Sequence, residues 1–347
     1  MNRSFPALRG IAIILVILNH TIHMGIKYPR SLGLISSGWE QALLYFLAGL
    51  GIFAVPIFLY LSGCFFSYAA KDTDLRANYK IVWVNLGHIL FPYLIWSVIF
   101  LLEVFLVHGQ SCTPGECIKN LLVGYPFNFV PLLIFFYLIA PLLILVIRRL
   151  GWALILVIAV LQLALLNLVS PAVLGFEFPG WMNALAPPVL ANSLAEWAIF
   201  FPLGLIYVKA APSYLPLIRK FKWILVFILV GLYTLGFLDI LAVIHLPIAR
   251  YLCPFFFILL APIFNRSAIP AVKTVENLGK RAYGLYFMNL IVLDLIIVAI
   301  ERLAPGLLAF YYVVLPVLFI LAIQIPILIM KGVELLRRPV VYRHVFG

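Results

Sequence analysis

The chain has 347 residues, of which 65% are hydrophobic and 10% are charged, and its mean hydropathy is +1.16. Soluble globular domains are far less apolar, so the composition excludes an ordinary soluble enzyme or binding module. Runs of about 20 apolar residues recur from end to end, and each is long enough to cross a hydrocarbon core of roughly 30 Å. We therefore predict an all-α, polytopic helical bundle in a membrane, with residues 1–347 forming one domain.

Hydropathy predicts about ten spans, at 8–25, 41–68, 82–107, 129–147, 151–169, 190–208, 223–244, 249–264, 282–299 and 309–330. With the N-terminus placed inside, 19 of the 24 basic residues, Arg3 among them, fall in or beside cytoplasmic segments. The other five are Lys27, Arg30, Lys119, Arg250 and Arg302. This asymmetry predicts that both termini are cytoplasmic. It also accounts for the net charge of +12, so no nucleic-acid partner is expected.

The first span carries the stretch LRGIAIILVILNH, with Arg9 near its start and His20 at its end. Eleven residues at 100° each complete about three turns, so both side chains lie on one helix face about 16.5 Å apart along the axis. A guanidinium suits phosphate, and an imidazole with an unperturbed pKa of about 6.5 suits general-base catalysis. A long donor with an anionic head and a reactive tip, such as a coenzyme A thioester, would reach both. His23 offers a second imidazole one turn on, but no third ligand is evident, so no metal site is expected.

Further polar residues lie at membrane depth, where a charged group costs about 2.5–3.5 kcal/mol at a helix centre. Lys80, Asn85, His88 and Arg281 fall near the cytoplasmic side, whereas Glu103, Glu196, Asp239, Asp294 and Asn289 fall in the outer half. Any one of them could simply be a helix-end residue or half of an interhelical pair. Together they indicate a polar path, in which the inner group would bind donor phosphates with Arg9. A carboxylate, either Glu196 or Asp294, would orient His20 through its other ring nitrogen.

Four ordered blocks of the sequence resemble acyltransferase family 3, the integral-membrane acyltransferases of sugar hydroxyls. They are LRGIAIILVILNH at 8–20, VPIFLYLSGCFFS at 55–67, HILFPYLIW at 88–96 and ENLGKRAYGLYFMNLIV at 276–292. The resemblance implies a multi-pass protein of the plasma (inner) membrane. It implies transfer of an acyl group, usually acetyl, from cytoplasmic acyl-CoA to a lipid-linked sugar or surface polysaccharide. Acyl-CoA would be a donor substrate, and no permanently bound cofactor is implied.

The resemblance also assigns roles to single residues. It makes His20 the catalytic base and Arg9 its partner at the donor. Asn85 and His88 stand where the family commonly has Arg-x-x-Arg, and Asn289 stands where its late block often ends in histidine. Candidates to stabilise the reaction's oxyanion are Asn19, Asn289 and Tyr286.

Two other functions fit parts of the pattern. A transporter or flippase of a glycan or lipid intermediate would also have kinked helices and polar residues at membrane depth. It would have no covalent chemistry, and the sequence shows no inverted repeat. A sugar polymerase or ligase would carry large, charged outside loops, whereas the predicted outside loops are short.

Overall fold

The computed structural model describes residues 4–31, 33, 38–71, 74–171 and 173–347. These residues form α-helices and short 3₁₀ helices and contain no β-strand. The α-helices are α1 (Phe5–Gly25), α2 (Lys27–Ser31), α3 (Trp39–Gly49), α4 (Ala54–Ala69), α5 (Leu75–His108), α6 (Pro114–Val123), α7 (Phe129–Leu150), α8 (Trp152–Val169), α9 (Ala191–Trp197), α10 (Phe200–Ile240), α11 (Ile248–Leu260), α12 (Val272–Lys280), α13 (Ala282–Leu303), α14 (Tyr311–Leu335) and α15 (Pro339–Phe346). The all-α prediction is confirmed. Arg3, counted above among the cytoplasmic residues, lies outside the described residues.

Eight helical segments of the described chain are long and apolar enough to cross a membrane. They are Phe5–Ser31, Trp39–Ala69, Leu75–His108, Phe129–Leu150, Trp152–Val169, Ala191–Ile240, Ala282–Leu303 and Pro305–Leu335. A further apolar segment, Ile248–Ile263, is shorter. The chain is thus a polytopic helical membrane protein, as predicted.

The predicted spans at 190–208 and 223–244 are not separated by a loop in the structure. Residues 209–222 continue the helix α10, which runs unbroken for 41 residues. The basic residues of this stretch lower its hydropathy, but lysine and arginine are good helix formers, so the segment stays helical. Pro212 and Pro216 lie inside this helix, where a proline can kink the helix without ending it.

The described residues belong to two compact units. The first unit comprises Met1–Leu8, Val55–Gly87 and Gly115–Pro270, and the second unit comprises Arg9–Ala54, His88–Pro114 and Ala271–Gly347. The division follows contacts within the chain, and the prediction of one functional domain over 1–347 stays a prediction.

In the first unit, α4 and α10 touch backbone to backbone at two glycines. A Cβ built on Gly63 would lie 2.2 Å from the carbonyl oxygen of Phe201, and one built on Gly204 would lie 2.1 Å from that of Tyr60. Small residues at a crossing allow such close approach, which is how membrane helices gain van der Waals contact in the absence of a hydrophobic driving force. The ring of Tyr60 then packs edge-on against Phe5, with centroids 6.4 Å apart.

In the second unit, α1 and α13 run in the same direction. Near the start of each helix, the guanidinium carbon of Arg9 lies 5.0 Å from the ring centroid of Tyr283. Further along both helices, His20 hydrogen-bonds to Asn289. The first span and the α13 span therefore start on the same side of the membrane.

The helix α14 returns in the opposite direction. Its last turn carries Glu334, which accepts hydrogen bonds from Arg281 just before α13. The opposite end of α13 meets the end of α5, because Asp294 contacts His108 and Arg302 donates to the Val107 carbonyl. We call the end of the second unit with Arg9 and Arg281 the basic end, and the end with Glu103 and Asp294 the acidic end.

Candidate active site

The most specific polar contact in the second unit joins His20 to Asn289. The Nδ1 atom of His20 lies 2.7 Å from the Oδ1 atom of Asn289, which is fully buried. The Asn289 amide nitrogen donates to the carbonyl oxygens of Leu285 and Tyr286, at 2.9 and 2.6 Å. Since both amide hydrogens are used, the oxygen of Asn289 must face His20 as an acceptor. Nδ1 of His20 therefore carries a hydrogen and donates it, which leaves the lone pair of the neutral ring on Nε2.

The carboxylate predicted beside His20 is not the group that the structure brings to Nδ1. Asp294 is five residues beyond Asn289 on α13, so it is rotated by about 140° around the helix, and it contacts His108 instead. Glu196 belongs to the first unit, where its backbone carbonyl accepts a hydrogen bond of 2.9 Å from Gln162. A neutral amide thus occupies the position beside Nδ1 where the sequence predicted a carboxylate.

Two of the side chains predicted to stabilise the oxyanion, Asn289 and Asn19, differ in the N–H groups that they have left to donate. Asn289 has no free N–H, because its two donors are bound to backbone carbonyls. Asn19 donates one hydrogen to the carbonyl of Ala48, at 2.9 Å, and packs against Gly51, where a Cβ would come within 2.8 Å of the asparagine side chain. These contacts join α1 to the end of α3 and to the segment just after it, and they leave Asn19 one further hydrogen to donate.

At the basic end, the Arg9 guanidinium lies over the face of Tyr283. This cation–π contact fixes the position of the group without neutralising its charge. No described residue forms an ion pair with Arg9. Its five N–H donors are therefore available to an anion.

A cavity of about 640 Å³ lies at the basic end. It is lined by His88, Glu334, Arg337, Arg338, Pro339, Tyr342, Arg343 and Gly347. His88 is among the predicted donor ligands, whereas the sequence indicated only a topology signal for the three arginines. Burial and the Glu334 carboxylate raise the pKa of the Tyr342 phenol, whose hydroxyl donates to the sulfur of Met330 at 3.7 Å.

Three other predicted donor ligands have different surroundings. Arg281 is bound to Glu334, with its terminal nitrogen 3.0 and 3.4 Å from the two carboxylate oxygens, so its charge is already compensated. Lys80 and Asn85 lie on the part of α5 that belongs to the first unit. There Lys80 is exposed and lines an open surface cavity with Asp74 and Arg76.

The acidic end contains the one group of three side chains in the described residues that could hold a metal ion. Nε2 of His108 lies 2.7 Å from Asp294 and 3.7 Å from Glu103, and the three potential ligand atoms lie within 4.8 Å of one another. Both oxygens of Glu103 are buried without a hydrogen-bond partner. Sequence reasoning identified the two carboxylates as deep acidic residues but missed His108, the last residue of α5, which offers them a cationic or donor partner.

Comparison with known protein families identifies a match over most of the chain. A family model described as an acyltransferase domain, that of acyltransferase family 3, matches residues 2–330. Neither a curated protein nor a solved structure matches the chain significantly. The matched region contains Arg9, His20 and Asn289, and it stops before the segment 331–347 that carries Arg337, Arg338 and Arg343.

Proposed function

Because the chain belongs to acyltransferase family 3 and is a membrane acyltransferase, we propose that it transfers an acyl group, most simply acetyl, from acyl-CoA. The acceptor is a hydroxyl group of a lipid-linked sugar or of a surface polysaccharide at the plasma membrane. The observation that carries the proposal is the contact of His20 with Asn289, which presents a ring nitrogen with a free lone pair. A general base in a fixed tautomer is what the activation of a hydroxyl requires.

The reaction proceeds by base-assisted attack on a thioester. Nε2 of His20 takes the proton from the acceptor hydroxyl while the hydroxyl oxygen attacks the thioester carbonyl. The oxyanion formed then collapses, the carbon–sulfur bond breaks, and the new ester bond remains. The CoA sulfur leaves as a thiolate and takes the proton from the His20 imidazolium, so the base returns to its starting state. The free N–H of Asn19 is a donor near His20 that can stabilise the oxyanion.

The donor enters from the cytoplasm at the basic end. Arg9 lies on the same face of α1 as His20, about 16.5 Å away along the axis, so a thioester can reach the base while its anionic head remains at the arginine. With this orientation both termini would be cytoplasmic, which the excess of basic residues in the predicted inside segments supports.

The direct test uses membranes that contain the protein, radiolabelled acetyl-CoA and the total glycan and lipid-linked sugar fraction. The wild-type protein is expected to leave label on carbohydrate, which a transporter or flippase cannot do. The variant His20→Ala is expected to lose activity at an unchanged amount of protein in the membrane. His245→Ala is the matched control, since that histidine is highly exposed in the first unit and should leave the rate unchanged. Full activity of His20→Ala would disprove the assignment of the base.

A further inference from the structure

We propose that the C-terminal segment 336–347 forms the binding site for the phosphate-bearing head of the acyl donor, with Arg337, Arg338 and Arg343 as its ligands. The inference rests on the proposed function, because it names the part of the chain that recognises acyl-CoA. These arginines lie beyond residues 2–330, the region that the family model matches. The site would therefore be a feature of this chain rather than of the matched domain.

The first argument is charge. The three guanidinium groups are exposed around a cavity of about 640 Å³, and in the described part of the chain none of them forms an ion pair with a carboxylate. The one acidic side chain in the cavity lining, Glu334, is already bound by Arg281. Several unpaired guanidinium groups around one cavity favour a ligand with more than one phosphate, because each fork of donors can bind phosphate oxygens in pairs.

The second argument is that the arginines belong to an anchored wall and not to a free tail. Phe346 is 3% exposed, and its ring packs on Trp96 with centroids 6.2 Å apart. The indole nitrogen of Trp96 donates to the carbonyl of Val345 at 2.8 Å, and His344 packs edge-on against Phe91 at 4.7 Å. These contacts fix α15 on α5, so that its polar side faces the cavity in a defined orientation.

The third argument is that the cavity is connected to Arg9 and, along α1, to His20. The backbone of Gly347 lies against both His88 and Tyr283, since a Cβ built on Gly347 would come within 3.2 Å of the His88 carbonyl oxygen and 3.5 Å of the Tyr283 Cβ. The guanidinium group of Arg9 lies over the ring of the same Tyr283. The cavity, Tyr283 and Arg9 thus follow one another at the basic end, and α1 leads from Arg9 to His20.

The fourth argument concerns the shape of the ligand. A cavity of this size falls in the range of small-molecule sites, about 300–1,000 Å³. Besides the cations, its lining offers two flat side chains, His88 and Tyr342, on which a nucleobase can stack. The adenosine end of CoA supplies both a base and several phosphates. An anionic lipid headgroup shares the phosphate chemistry but has no base.

The test is equilibrium binding of CoA itself to the purified protein in nanodiscs of phosphatidylcholine, which carry no net lipid charge. We expect Arg337→Ala/Arg338→Ala and Arg343→Ala each to weaken CoA binding tenfold or more. Arg148→Ala/Arg149→Ala is the matched control, because these two exposed arginines end α7 in the first unit, and it should bind CoA like the wild type. In the wild type, 3′-dephospho-CoA should bind more weakly than CoA, and the difference should shrink in the arginine variants.

The outcomes separate the two proposals. If the wild type binds CoA and both arginine variants bind it equally well, the site is not at the C-terminal segment, while the proposed function stands. If the wild type does not bind CoA at all, acyl-CoA is not the donor and both proposals fail. A third arm uses nanodiscs with phosphatidylglycerol. If the arginines affect only retention of this lipid and not CoA affinity, they form a lipid site and the inference is overturned.

Discussion

Asn289 contacts His20 through a neutral oxygen, in a place where a carboxylate would add a negative charge to the membrane interior. The amide fixes the tautomer as well as a carboxylate can, because its own two hydrogens are bound to backbone carbonyls. If His20 takes up a proton as proposed, the amide oxygen would stabilise the resulting imidazolium less than a carboxylate would. The arrangement gives orientation while avoiding the cost of a buried negative charge.

This geometry makes a prediction for Asn289→Ala. Without the acceptor oxygen, His20 loses its fixed tautomer and ring orientation, and we expect kcat for acyl transfer to fall 10- to 100-fold, as for other orienting partners, with little change in the KM for acyl-CoA. The control is Asn167→Ala, which removes an equally buried asparagine with two backbone hydrogen bonds in the first unit. Steady-state kinetics on equal amounts of folded protein decide the matter. An unchanged kcat in Asn289→Ala would show that this contact does not orient the base.

Single residues also show where sequence reasoning reaches its limit. The Arg9 and His20 placement followed from helical periodicity, since both lie on one continuous helix. The partners of Asp294 and Arg281 could not be predicted, because they lie 186 and 53 residues away in sequence and only the packing of helices brings them together. Some charged side chains that the sequence offers as ligands are therefore already paired with other side chains of the protein.

At the scale of elements, the close packing of α1 on α12 depends on Gly10, the residue next to Arg9. A Cβ on Gly10 would lie 1.9 Å from the backbone carbonyl oxygen of Val275, far inside van der Waals contact. Because the obstacle is backbone, a side-chain rotation cannot relieve it. The glycine thus sets the distance between the two helices that flank the basic end.

We expect Gly10→Ala to destabilise the protein by about 1–3 kcal/mol, the usual cost of overpacking a close contact. Gly87→Ala is the control, since nothing lies within 4 Å of a Cβ there, and alanine in a helix interior is favoured over glycine by roughly 0.5–1 kcal/mol. Thermal unfolding in detergent should show a lower midpoint for the first variant and an unchanged or higher one for the second. An unchanged midpoint in Gly10→Ala would mean that α1 and α12 are not in contact as described.

The elements themselves were predictable to different degrees. Long apolar runs were assigned correctly as helices, because length and hydropathy determine which segments can cross a membrane. The continuity of α10 through residues 209–222 did not follow from hydropathy, because a basic stretch can end a span without ending a helix. The docking of α15 could not be predicted at all. Its anchor, Phe346, finds its partner Trp96 far away in sequence.

At the scale of the molecule, the directions of three helices restrict the topology. Since α1 and α13 run in parallel and α14 returns, the Arg9 end of α1 within the second unit and the end of α14 lie at the same end of that unit. This conclusion does not depend on how many times the chain crosses the membrane between α1 and α13. The density of arginine and lysine at that end favours the cytoplasmic side for both.

Cysteine labelling tests this topology in intact cells with a membrane-impermeant maleimide. We expect Lys273→Cys and Leu336→Cys, both at exposed positions of the basic end, to react only after permeabilisation. Gln110→Cys, exposed just beyond the end of α5, should react before it. Different accessibility of the first two positions would contradict a common side for the start of α13 and the end of α14.

The arginine-lined cavity has a consequence for turnover. Acyl-CoA and the CoA released from it carry the same phosphates, so a site that holds the donor by its phosphates holds the spent product about equally well. Free CoA is then expected to compete with acyl-CoA and to inhibit with a constant close to the donor's own affinity. The rate of acyl transfer would follow the ratio of acylated to free coenzyme in the cytosol, and cell-surface modification would thereby respond to the metabolic state of the cell.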